Sequence, residues 1–372
     1  MRESRSCSTE LCHSSFAFRT SHFDIRTSQM NLLSPIAALY GAAVRLRRWG
    51  YAASVLRTTR LKAPVISVGN LTMGGTGKTP TTIALGKGLL DSGHRLAILS
   101  RGYRGEHGGG PLLVSDGQCI HATANEAGDE ALVIARNLPR ALVAVGRRRA
   151  QAGAWLEKHF GVDVHLLDDG FQHLQLHRDL NLLVVDATNP FGGGLPPRGR
   201  LREPLDAIRR ADAVILSRTE ASHRYDELIE KLRRYKPGIP CFLAHQRLVS
   251  VRKLGDEEAL ALEALSGVAV VAFAGIGNPS QFLTTLGQAG IRVVQSFSFP
   301  DHHRYRTHDY QRLARECEKL NVNDLITTEK DAEKLSAAGF APRNVFAAKL
   351  AFEFDDRDRL SKLLSDVAGV VV

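Results

Sequence analysis

From Ile25 to Leu90 the sequence contains no aspartate and no glutamate. The whole chain is basic as well, with a formal net charge of +10 and a pI of about 9.5 over 372 residues. Such a balance disfavours cationic partners and favours nucleic acid, anionic lipid or phosphorylated substrates, without choosing among them. Long apolar runs are absent too. The apolar stretch Leu32 to Val44 covers 13 residues, too few to cross a bilayer, which takes about 20. No C-x-x-C pair occurs, and Cys7, Cys12, Cys119, Cys241 and Cys317 are scattered. That spacing excludes a zinc cluster and reads as free thiols in a reducing compartment. The opening 29 residues lack the apolar centre of a signal peptide and read as a disordered extension, with Met30 as an alternative start.

What is present is an ordinary globular composition, 44% hydrophobic and 24% charged, long enough for two domains. Within the acid-free window the apolar segment is followed by Arg45, Arg47, Arg48, Arg57, Arg60 and Lys62, with Tyr40, Trp49 and Tyr51 among them. An apolar helix with basic and aromatic flanks suits an anionic membrane surface. Equally, it suits an amphipathic helix packed on the domain with solvated arginines. Residues 30–62 are therefore expected to form an N-terminal helical region at a membrane interface or on the protein.

Beyond it, short apolar runs alternate with helical segments. Strands are expected at 63–69, 95–100, 141–146, 162–168, 181–186 and 212–217, with helices at 78–92, 127–138, 147–160 and 203–211. Strands apolar on both faces and separated by helices predict a parallel sheet covered on both sides, an α/β sandwich. A second α/β series follows, with strands near 241–246, 268–275, 291–299, 323–328 and 344–352. The expected division is a core domain over 63–246, a connector over 247–266 and a smaller domain over 267–372.

Between the first strand and the first helix lies Thr72-Met73-Gly74-Gly75-Thr76-Gly77-Lys78-Thr79. It ends as a phosphate-binding loop should, although Thr72 stands where G-x-x-x-x-G-K-[ST] has its first glycine. Strand, glycine-rich loop and helix in that order aim backbone N–H groups and a helix N-terminus at a phosphate. Lys78 would reach the terminal phosphates of ATP and Thr79 would hold Mg²⁺. An acidic partner for the metal is supplied by Asp168 and Asp169 in VHLLDDGFQH, with Asp186 as competitor at the end of another apolar strand. Transfer to an alcohol also calls for a group that takes the hydroxyl proton. Asp129 and Glu130 at a helix start, and Asp301-His302-His303 in FPDHHRY, are isolated candidates; taken alone, helix-end charge compensation and a polar loop are the better explanations. SRGYRG (100–105), GRRRAQ (146–151) and GGGLPPRGRLREP (192–204) follow expected strands, where open α/β sheets build their sites.

Taken in order, ISVGNLTMGGTGKTP, LSRGYRG, GDEA, LLDDGFQH, GRLREP, FPDHHRY and TTEKDAEK resemble the tetraacyldisaccharide 4'-kinases of lipid A synthesis, from about Asn31 to the last strand. The resemblance implies a P-loop core domain and a smaller α/β domain joined by a two-stranded connection, with the site in the cleft between them. It implies transfer of the γ-phosphate of ATP to the 4'-hydroxyl of a tetraacylated disaccharide 1-phosphate at the cytoplasmic face of the inner membrane, with the helical region 30–62 docking on the membrane surface. On it, Lys78 and Thr79 serve phosphate and magnesium, Asp168 and Asp169 the metal network, and Asp129 is the base supported by His302, with His303 as the alternative. Arg101, Tyr103, Glu130, Arg202 and Glu203 would line the cleft, and His173 matches a family position. No nucleic acid and no obligate protein partner is expected. The other reading of the loop is a regulatory P-loop ATPase without a phosphate acceptor.

Overall fold

The computed structural model describes residues 34–103, 105, 106, 110–220, 223–256, 258–337 and 344–369. The expected extension over 1–29, and Leu32 and Leu33 of the apolar stretch, lie outside the described residues. Helix α1 (Ser34–Ala52) precedes β1 (Val65–Gly69), α2 (Lys78–Asp91), β2 (Leu96–Ser100) and β3 (Leu112–Asp116). Next come α3 (Ala124–Ala127), α4 (Asp129–Asn137), β4 (Leu142–Val145), α5 (Arg149–His159), β5 (Val164–Asp168) and β6 (Leu180–Asp186). A 3₁₀ turn (Leu205–Arg210), β7 (Ala213–Ser217), α6 (Asp226–Arg233) and β8 (Cys241–Lys253) follow. The remainder is β9 (Ala259–Leu260), β10 (Ala269–Ala274), α7 (Pro279–Gln288), β11 (Arg292–Ser298), α8 (Thr307–Leu320), β12 (Asp324–Thr328), α9 (Glu329–Ala337), β13 (Asn344–Phe354) and α10 (Arg357–Ala368).

All strands join one mixed sheet of order β11-β10-β12-β13-β8-β7-β6-β1-β5-β2-β4-β3, with β9 paired to β8. Strands β1, β2, β5 and β7 are buried at every residue, as expected where helices cover both faces. Most pairs are parallel. β8 against β13 and β9, and the edge strand β3 against β4, are antiparallel. The segment 247–266, expected as a connector, is occupied as far as Lys253 by the second half of the 13-residue β8. Leu248 and Val251 point into the same core although three residues apart, because the register with β13 skips the exposed Val249 between Ser250 and Leu248. The charge of this stretch disguised it. β8 and β13 thereby carry the sheet unbroken from one half of the molecule to the other.

Because the first-half strands run parallel, their carboxyl ends lie along one edge, the place where open α/β sheets bind ligands. The phosphate-loop candidate follows β1, Asp168 ends β5 beside Val68, Asp186 ends β6 and Ser217 ends β7. Helix α4 begins at the same edge. Gly128 before it has a φ of 83°, and a Cβ there would meet the Tyr103 carbonyl at 2.6 Å, so the glycine of GDEA is required for the SRGYRG turn to pack against it.

Candidate functional site

The loop after β1 is held as a rigid cradle. Asn70 Nδ2 donates to the Thr72 carbonyl and to Thr76 Oγ1, both at 2.7 Å, inside the protein. Ser217 Oγ donates to the Thr76 carbonyl at 2.7 Å, and Arg218 ties the Gly75 carbonyl to the Asp186 carboxylate. Gly77 caps α2 with a left-handed φ of 83°, and a Cβ there would stand 3.0 Å from Phe352. Thr72, the departure from the usual pattern, forms a bridge with Leu201, flanked by Met73 N to Arg200 O and Arg202 N to Leu71 O at 2.6 Å each. The chain is extended there. A β-branched residue suits that backbone, and the freedom a glycine would bring is unnecessary.

Carboxylates gather beside this cradle. Lys78 Nζ lies 3.7 Å from Asp169 Oδ1, and Arg202 Nη1 donates to both Asp169 oxygens at 2.8 Å. Burial raises the Asp169 carboxyl, but Lys78 and Arg202 outweigh it and hold it below the usual range. Asp168 accepts from Thr82 Oγ1 at 2.9 Å. Burial, with Glu130 and Asp169 adding to it, pushes its carboxyl up to about 7. Among the described residues no group of three or more His, Cys, Asp or Glu side chains is arranged to hold a metal ion. Magnesium does not demand one, since it takes one or two carboxylates and completes its shell with water and substrate phosphates. An under-compensated buried carboxyl with oxygen donors around it suits that ion.

A second cluster joins the two halves of the sheet. Asp129, 7% exposed, receives His302 Nδ1 at 3.1 Å on Oδ2. His302 sits in the turn after β11 with a left-handed φ of 59°, held by its N–H to the Gly275 carbonyl at 3.1 Å, and its ring lies 5.3 Å from that of Tyr103. His303 turns the other way and meets Asp309 Oδ2 at 2.9 Å. Lys334 Nζ is 3.6 Å from Asp129 Oδ2. Burial raises the Asp129 carboxyl, yet the hydrogen bond from His302 and the charges of Lys330 and Lys334 bring it down to about 2. The two clusters are adjacent: a Cβ on Gly277, from the second half, would lie 3.0 Å from the Gly75 nitrogen of the phosphate cradle. A nucleotide held by the loop and an acceptor held near Asp129 can therefore meet.

The sequence profile of the tetraacyldisaccharide-1-P 4'-kinases (LpxK) matches residues 29–368. The tetraacyldisaccharide 4'-kinase of Pelobacter propionicus is 41% identical over 83% of this chain and 84% of its own. That of Geobacter metallireducens is 39% identical over 90% and 97%. This chain belongs to the tetraacyldisaccharide 4'-kinase family. A crystal structure of LpxK from Aquifex aeolicus in complex with ATP superposes with a TM-score of 0.73 at 33% identity, covering 91% of this chain and 98% of that one. The kinase is an ATP-dependent enzyme of the P-loop class, and a regulatory ATPase without an acceptor is not favoured.

In this kinase, residues read from the sequence separate into three places. Thr72 to Thr79, Asp168, Asp169 and Arg202 surround the cradle, while Asp129, Glu130, Tyr103 and His302 form the second cluster. His173 is linked to the Asp168–Asp169 pair through Arg149, and Glu203 lies elsewhere. His173 is buried with Nδ1 accepting from Arg149 at 3.1 Å, and burial together with Arg149 pushes it down to about 3, so the ring is neutral. Glu203 is buried under α1, paired with Arg210 at 2.8 and 3.0 Å and 3.8 Å from Arg48. Arg101 is exposed. Sequence reasoning assigned no role to Lys330, Lys334, Thr82 or Arg218, and did not single out Arg149 within GRRRAQ. TTEKDAEK carries the family resemblance, but only packing α9 against α4 brings its lysines to Asp129.

Proposed function

We propose that this kinase transfers the γ-phosphate of ATP to the 4'-hydroxyl of a tetraacyldisaccharide 1-phosphate, forming lipid IVA, with Asp129 receiving the hydroxyl proton. The observation that carries the assignment of Asp129 is its 3.1 Å contact with His302 from the other half of the sheet. The sugar oxygen attacks the γ-phosphorus, the bond to the β,γ-bridging oxygen breaks, and ADP leaves. A carboxylate held at about 2 is a weak base for an alcohol. It takes the proton late, once the forming oxygen–phosphorus bond has acidified the hydroxyl, which agrees with a loose transition state. His302 orients Asp129 and shares its charge. Lys78, at the first residue of α2, follows the phosphates with its ammonium and balances charge on the transferred group.

Mg²⁺, held by Thr79, Asp168 and Asp169, would supply the remaining charge compensation when bound with ATP. The division into a core domain over 63–246 and a smaller domain over 267–372 is part of this reading, because acceptor activation then needs both and closure excludes water.

The acceptor carries acyl chains, so the cleft must meet a bilayer. No helix among the described residues is long and apolar enough to cross one. Helix α1 supports peripheral docking at the cytoplasmic face of the inner membrane. Ile36, Leu39, Leu46 and Trp49 are 56%, 73%, 67% and 61% exposed, spaced as one face of a helix, while Tyr40 and Arg48 tie its other side to Arg202 and Asp206. The test of the activity is incubation with γ-labelled ATP, Mg²⁺ and the disaccharide lipid. Label in the lipid is expected. Label appearing only in free phosphate would reject the kinase reading.

A further inference from the structure

Lys330 and Lys334 lie on α9, one helical turn apart, and both reach the Asp129–His302 pair. Lys330 Nζ is 3.1 Å from His302 Nε2 and 3.3 Å from each of Glu130 Oε1 and Asp301 Oδ1. Lys334 is engaged at 2.8 Å by the fully buried Asp331, which also accepts from Gly275 N and Thr328 Oγ1. An ammonium has three donors and no acceptor. Three acceptors surround Lys330, so His302 Nε2 must present its lone pair. A neutral ring then carries its proton on Nδ1, the atom that faces Asp129 Oδ2 at 3.1 Å. Burial acts to neutralise Lys330, but Glu130, Asp129 and Asp301 outweigh it and keep it protonated.

The same lysine spans the two halves. Glu130 stands on α4, whereas Asp301 and His302 come from the turn after β11. Further along, α9 docks on α4 through Glu329 to Asn137 at 3.2 Å and Glu333 to Arg136 at 2.7 Å.

We propose that Lys330 is a positioning residue for phosphoryl transfer: its ammonium locks His302 in the Nδ1–H tautomer that serves Asp129, and clamps Glu130 to Asp301 across the cleft. The proposal rests on the reading of Asp129 and His302 as the pair that activates the acceptor. With the far nitrogen engaged by Lys330, the hydroxyl proton stays on Asp129 and does not cross the imidazole. The charged groups facing the pair are Glu130 on α4, Asp301 beside His302, and Lys330, Asp331 and Lys334 on α9, with the Tyr103 ring against His302. Taking away the Lys330 charge makes Asp129 easier to protonate. The acid limb of activity must then move to higher pH.

The experiment measures label transfer to the disaccharide lipid from pH 5 to 9 for wild type, Lys330→Met, Lys330→Arg and Asp129→Asn, with ATP affinity and thermal midpoint alongside. For Lys330→Met a kcat loss of roughly 10- to 100-fold is expected, by analogy with removal of the partner that orients a metal-bound histidine. ATP affinity should hold, the acid limb should move up, and Lys330→Arg should restore most of both. Wild-type kcat and pH profile in Lys330→Met overturn the proposal. So does a loss that merely follows a lower thermal midpoint with an unshifted profile. Full activity of Asp129→Asn instead removes the underlying pair, a separate failure. Should Lys330→Met not fold, nitrogen NMR of ¹⁵N-histidine wild type, with His302→Gln for assignment, reads the tautomer directly: Nδ1–H supports the lock, and Nε2–H overturns it.

Discussion

Replacing Asp129 with asparagine separates chemistry from folding. The carboxylate lies 3.1 Å from His302 Nδ1 and 3.6 Å from Lys334 Nζ, and is 7% exposed. Asparagine keeps the shape and removes both the charge and the proton acceptor. General base assistance contributes about 10² to 10⁴ in rate, so kcat for lipid phosphorylation should fall by that factor. The stability cost is smaller. A folded-state value of about 2 against an ordinary 3.8 corresponds to about 2 kcal/mol at ~1.4 kcal/mol per unit. Because the folded value is depressed, that stabilisation is present above pH 3.8 and is lost as the pH falls through 2. Asparagine forgoes it at neutral pH, while Lys334 retains Asp331 and Lys330 retains Glu130 and Asp301. The thermal midpoint should drop by only a few degrees. The assay pairs turnover on labelled lipid with ATP affinity by titration, which should change little. Full turnover would refute the base assignment, and a parallel loss of ATP affinity would move Asp129 into the nucleotide site.

Other expectations follow from the same contacts. Exchanging Ile36, Leu39, Leu46 and Trp49 for serine or glutamine should release the protein from anionic vesicles and lower activity on bilayer substrate more than on detergent-dispersed substrate; unchanged sedimentation with vesicles would count against α1 as the docking element. Asp168, pushed up to about 7, binds its proton more tightly folded than unfolded, so metal-free protein should lose stability as pH rises from about 4 through 7. Asp168→Asn should flatten that decline and reduce the rise in thermal midpoint that Mg²⁺ produces at pH 8; an equal Mg²⁺ effect in both proteins would exclude Asp168 from the metal site. Gly77→Ala, at φ 83° with Phe352 3.0 Å from the new carbon, should weaken ATP binding and cost at least ~1 kcal/mol, read by nucleotide titration and thermal unfolding.

Much of the first half was legible because its signals are local. Apolar runs such as VISVG and AVILS have no polar face to hide, and the β1–loop–α2 order places the phosphate cradle whatever the rest of the chain does. Legibility failed where a residue's role depends on what crosses over to it. β3 was missed because an edge strand, half-exposed at Leu112 and Leu113, lacks the continuous apolar run of its neighbours. The second half of β8 reads as a connector because Arg247, Arg252 and Lys253 outnumber its core residues, Leu248 and Val251.

Thr72 shows the division on a small scale. By pattern it was a missing glycine, and only its bridge to Leu201 explains why no glycine is needed. The sequence by itself determined the nucleotide loop, the alternating α/β order and, through its ordered words, the family, since each is written in contiguous residues. Tertiary structure alone showed how the expected His302, and not His303, meets Asp129, that Glu203 is spent on Arg210, and that Lys330 stands behind the histidine. Those pairings join residues 173, 7 and 28 positions apart, and the side-chain geometry that makes them is set by the sheet that β8 and β13 carry across the molecule and by α9 lying on α4.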